Sequence, residues 1–105
     1  MKTFVKENTW LPMMPHGWGN GYVILPKGHK LHGKHYDEID VNVHGGLTFS
    51  EPANECVEWA EIDEKDKDGW IVGFDTAHYS DTILNWPKSA VMMETENLKS
   101  QLEKL

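Results

Sequence analysis

The chain predicts an α+β fold: one small domain with a mostly antiparallel sheet of about five strands and a C-terminal helix. Three observations carry this expectation. Short apolar, β-branched and aromatic runs recur near 22–25, 39–43, 47–50, 56–62 and 70–74. The charged stretch EKDKDG separates the last two of these, and a hairpin is the simplest connection across it. Helical periodicity enters only after Pro87, where Val91, Leu98, Leu102 and Leu105 fall on one stripe.

Taken in order, residues 1–21 read as an irregular N-terminal arm or lid. TWLPMMPHGWGNG carries two prolines and three glycines, which no helix or long strand accommodates. Its Trp10, Leu11, Met13, Met14 and Trp18 nevertheless favour burial. They are expected over the core, over a ligand, or against a second subunit. Residues 22–86 form the sheet and its loops. Tyr22–Leu25 is a strand stopped by Pro26, and Ile39–Val43 alternates apolar and polar residues as a half-buried strand does. His44-Gly45-Gly46 then permits a tight turn before Leu47–Ser50. An overlay of residues 64–75 on a calcium-loop pattern fails. Its first position is Glu64, its last is Asp75, and the residues around its end read as a strand rather than a helix. Residues 88–105 form the terminal helix, with Ser89 as its candidate cap.

Composition narrows the function classes. The net charge is −7, and nearly all of the deficit lies after Ser50, densest from Glu51 to Asp68. With no arginine in the chain, general nucleic-acid binding is not expected. No apolar run spans a bilayer and MKTFVKENTW lacks the apolar core of a signal peptide, so the expected location is the cytoplasm, without a membrane partner. Cys56 is the single cysteine; Glu55 and Glu58 lie beside it, and it reads as a packing residue.

The chemistry concentrates in GWIVGFDTAHYSD, Gly69 to Asp81. A buried strand ends at Phe74 and delivers Asp75, His78 and Asp81 three residues apart, a spacing that a helical turn brings onto one face. His44, Gly45, Gly46 and Thr48 form the other half of the expected site, since glycines let a ligand approach the backbone. In PKGHKLHGKH the interleaved Lys27, Lys30 and Lys34 oppose a metal at His29, His32 and His35. They suit an anion such as phosphate instead, so Lys27 and Lys30 join the expected ligand site, with Trp70 to stack on a base.

GHKLHGKHYDEIDVNVHGGLTFSE, with GWIVGFDTAHYSDTILNWP after it, resembles a group of small proteins of tailed phages and prophages. That group carries an H-G-G-L-T-[FY] motif and a G-F-D-x-A-H-x-x-D motif. The matching positions are His44, Gly45, Gly46, Leu47, Thr48, Phe49, Gly73, Phe74, Asp75, Ala77, His78 and Asp81. The resemblance implies a phage origin and a role in the cytoplasm of the infected host cell.

Three functions are expected. The first is a binding protein for a small anionic, nucleotide-derived ligand, sequestering a host immune signal without cleaving it. The second is a hydrolase in which His44, Asp75, His78 and Asp81 hold a divalent zinc, manganese or iron ion. The third is an acidic decoy that inhibits a host defence protein. The first is preferred, with no cofactor required, and a homodimer or higher homo-oligomer is expected from the apolar groups around Trp10–Trp18.

Overall fold

A computed structural model describes residues 1–9 and 16–105. Its strands are β1 (Lys2–Glu7), β2 (Gly19–Leu25), β3 (Phe49–Pro52) and β4 (Trp70–Phe74), and its helix is α1 (Lys88–Glu103). The strands form one antiparallel sheet in the order β1-β2-β4-β3. β2 and β4 occupy the middle because their residues are apolar on both faces. Val23, Leu25, Val72 and Phe74 meet Val91, Leu98 and Leu102 of α1 on one side. On the other side Tyr22, Ile24 and Ile71 meet Ala53, Cys56 and Ala60. Phe4, Phe49 and Trp59 close that second layer around Tyr22, with Phe4 stacked on it at 4.9 Å.

The α+β class and the antiparallel sheet stand, with four strands instead of five among the described residues. Three expected elements differ. Ile39–Val43 keeps its alternation, for Ile39 and Val43 are both buried. The backbone of Asn42 within it, however, is bonded to the helix. Gln101 of α1 accepts from Asn42 N and donates to Asn42 O, each at 2.8 Å, so the stretch crosses α1 instead of joining a ladder. Residues 56–62 do not pair with β4 as a hairpin. They coil through short turns after the 3-10 turn Ala53–Glu55, which puts the small Cys56 and Ala60 under the sheet. The strand expected at 47–50 forms at Phe49–Pro52, at the edge where a proline is tolerated.

The fourth difference is β1, which occupies the start of the expected arm. TFVKE alternates, with Phe4 on the aromatic layer and Val5 on the helix side. Trp18 packs against the helix-side core, and the Lys88 ammonium lies 5.4 Å from its ring centre. The lid or arm expected of Trp10, Leu11, Met13 and Met14 lies outside the described residues. At α1, Pro87 occupies the N-cap position and Ser89 falls inside the first turn without capping it. The buried stripe runs Val91, Thr95, Leu98 and Leu102, and Leu105 beyond the helix end is exposed. Cys56 is buried, with burial first and then Glu51 and Glu55 pushing its thiol up. No helix of the described residues is long and apolar enough to cross a membrane.

One buried hydroxyl holds the start of the site loop. Thr76 is fully buried, donates to Gly19 O at 2.6 Å, and accepts from Gly17 N through its own carbonyl at 2.6 Å. Thr76→Val keeps the shape and strands the Gly19 carbonyl. Its expected cost is about 1–2 kcal/mol, read by chemical denaturation, and a cost near zero would show that water replaces the bond.

Candidate functional site

Two turns build the site. β4 ends at Phe74, and Asp75 caps the next turn by accepting from Ala77 N at 3.0 Å. Asp81 closes the same loop, for Asp81 N donates to His78 O and Asp81 Oδ2 accepts from His78 N, each at 2.9 Å. The other turn is His44-Gly45-Gly46. Both glycines have positive φ, +70° and +78°, and Gly46 N donates to Val43 O at 2.9 Å. Thr48 N then donates to Gly73 O at 2.9 Å, which fastens this turn beside the end of β4.

The turns meet on one carboxylate. His44 Nε2 lies 2.8 Å from Asp81 Oδ1, and His78 Nδ1 lies 2.9 Å from Asp81 Oδ2. Asp81 is 1% exposed, a burial that admits a charged group only with such partners. Burial pushes its carboxyl up, but the hydrogen bonds from the His44 ring and from the backbone and ring of His78 outweigh this and hold it below the ordinary carboxylate range. His78 Nε2 points toward Asp75, 3.5 Å from Oδ1, while Thr48 Oγ1 donates to Asp75 Oδ2 at 2.9 Å.

Packing orients both rings. The two imidazoles meet edge to face with centres 5.1 Å apart, and His44 lies against Trp86 at 4.2 Å. Glu94 of α1 accepts from His44 N at 2.8 Å. A Cβ at Gly45 would fall within contact distance of Cε1 and Nε2 of His78, so only a residue without a side chain lets the ring lie there. Neither Glu94 nor the Trp86 contact was expected. Glu94 stands fifty residues from His44 in sequence, on a face that no local pattern marks.

His44, Gly45, Gly46, Thr48, Asp75, His78 and Asp81 are thus brought together. Lys27, Lys30 and Trp70 are not. Leu25, just before the lysines, pairs with Trp70, whereas Gly21 pairs with Phe74 at the site end. The length of β4 therefore separates them from the site by roughly 13 Å. The Trp70 indole donates to Lys34 O at 2.8 Å instead of facing a ligand. The histidines of the same loop tie down backbone: His29 to Leu102 O, His32 to Asp68 O and His35 to Asp37 N.

His44, His78 and Asp81 each offer one ligand atom within 4.8 Å of the others, so the three can hold a metal ion. Asp75 adds a second carboxylate beside His78. Among the described residues, no lysine is a hydrogen-bond or ion-pair partner of these four. The chain matches no family model, no curated protein and no solved structure.

Proposed function

We propose that the chain is a metal-dependent hydrolase with a divalent ion, zinc, manganese or iron, held by His44, His78 and Asp81. The single observation that carries this is the Asp81 carboxylate with an imidazole on each oxygen. Asp75 and Glu94 lie alongside, and the lysines an anion would need stand at the other end of the sheet. Two imidazoles among three carboxylates favour a cation. Three protein ligands leave a coordination position for water, and a bound divalent ion would lower the pKa of that water toward neutrality. Asp75, about a third exposed and fixed by Thr48 and Ala77 N, stands where a general base would be reached from solvent. In this reading a nucleotide-derived anion is a substrate that approaches the ion through a phosphate. The resemblance to phage proteins would place the activity in the infected cell.

Elemental analysis of the purified chain should find close to one zinc, manganese or iron ion per molecule. Calorimetric titration of chelator-stripped protein with each ion should show a single site per chain. His78→Ala should weaken binding by roughly a hundredfold or more while the fold persists. A folded wild-type chain that takes up none of the three ions at millimolar concentration would overturn the metal centre. Loaded protein that cleaves neither an ester nor a phosphodiester would overturn the hydrolase.

A further inference from the structure

The open edge of the sheet carries an inference independent of the metal centre. The two edges differ. β3 is four residues long, ends on Pro52, and has its Ser50 hydroxyl occupied by Tyr36 N. β1 is six residues long, and among the described residues it pairs only with β2. Its register with β2 runs Lys2↔Ile24 to Glu7↔Gly19, and the bond from Asn8 N to Trp18 O continues the ladder one step. Hydrogen-bonded and non-bonded pairs alternate in an antiparallel ladder, so Lys2, Phe4 and Lys6 turn their backbone groups toward β2. Those of Thr3, Val5 and Glu7 point outward.

Shallow grooves flank that edge on both faces of the sheet. One, of about 290 Å³, is lined by Lys2, Phe4, Val5, Lys6 and Glu61; the other, of about 150 Å³, by Thr3, Phe4, Val5, Met92, Thr95 and Glu96. An added strand would drop alternate side chains into the two grooves. Lysines usually blunt such an edge, but Lys2 is drawn sideways onto Asp63 at 2.6 Å.

We propose that β1 is the interface of a two-fold homodimer, in which β1 pairs antiparallel with β1 of a second copy about Val5. Charge and the length of chain paired select this register: centring on Thr3 pairs residues 1–5 alone, and centring on Glu7 sets the two Glu7 side chains against each other. Centring on Phe4 sets Lys2 opposite Lys6 of the other copy, and centring on Lys6 sets the two Lys6 side chains against each other. Centring on Val5 sets Lys6 opposite Phe4, Lys2 opposite Asn8, and Glu7 opposite Thr3, with no like charges directly across. Lys6 of one copy then lies over the groove that Glu61 of the other lines. Val5 meets Val5 beside Met92, which is half exposed in the single chain. The contact is isologous, as a two-fold axis requires.

Sedimentation equilibrium of the full chain should show a dimer, and hydrogen exchange should identify the edge. Amides of Thr3, Val5 and Glu7 should slow as concentration rises, while those of Phe4 and Lys6 stay protected throughout. Val5→Pro removes an outward N–H and no ladder bond to β2, though it also trims a side chain packed on the helix-side core. It should therefore keep the sheet, as circular dichroism would show, and weaken dimerisation by roughly a hundredfold or more. Glu61→Lys should weaken it as well, and Lys6→Glu added to Glu61→Lys should restore it. A monomer at millimolar concentration would overturn the proposal. So would a dimer in which the Thr3, Val5 and Glu7 amides exchange freely, or one that Val5→Pro leaves intact.

Discussion

Asp81→Ala is expected to cost about 3 kcal/mol of stability and to abolish metal binding, the largest effect of any single change at the site. Removing one partner of a buried charged network typically costs 3–5 kcal/mol. The low end applies because His44 and His78 are only partly buried and water can reach their rings. The same change frees the His78 amide and opens the loop from Asp75 to Asp81. Against a total stability of about 5–15 kcal/mol, this is a large fraction. Urea denaturation at neutral pH reads it, and a cost under 1 kcal/mol would show that the carboxylate fastens nothing.

Asp81 also makes a prediction about acid. Its carboxyl lies below the ordinary range in the folded chain and near 3.9 in the unfolded one. Between those values the unfolded chain binds more protons, so stability rises with pH through that window. The contribution is complete above about pH 5 and is lost as pH falls through the folded value. Asp81→Asn should therefore decline less steeply than the wild type below about pH 4. Parallel acid limbs would assign the acid sensitivity to other carboxylates.

Gly45→Ala should cost about 2 kcal/mol or more and lower metal affinity at least tenfold, whereas Gly46→Ala should cost only about 1 kcal/mol and spare the metal. Both glycines have positive φ, so alanine is strained by about 1 kcal/mol at either position. Only at Gly45 does the added carbon also run into His78, while at Gly46 nothing lies within 4 Å. The pair thus separates backbone strain from displacement of the ring. Denaturation and metal titration of the two variants side by side provide the measurement. Equal losses would remove Gly45 from the positioning of His78.

Much of the fold is legible in the local sequence. β4 at Trp70–Phe74 has the expected bounds, because five consecutive apolar or glycine residues suit a strand buried on both faces. α1 is legible from its 3.6-residue stripe. Asp75, His78 and Asp81 can be grouped because a turn's geometry depends only on neighbours, and the Gly45-Gly46 turn announces itself by residue type. β1 is hidden behind the prolines and glycines after it. Ile39–Val43 reads as a strand without being one, because alternation reports which side chains are buried and not what satisfies the backbone between them. Gln101, far along the chain, decides that.

The α+β class, the terminal helix, the turn glycines and the carboxylate and imidazole groups at the end of β4 were legible in the chain alone, all being properties of a few adjacent residues. The tertiary structure alone decided which of those groups meet. Pairing of Leu25 with Trp70 sends Lys27 and Lys30 to the far end of the sheet, while the Thr48–Gly73 bond swings His44 onto Asp81. Folding onto α1 adds Glu94 beneath it. The same histidines and aspartates read as an anion site with those lysines and as a cation site without them. Coulomb energy falls with distance, and distances between groups remote in sequence are set only by the folded chain.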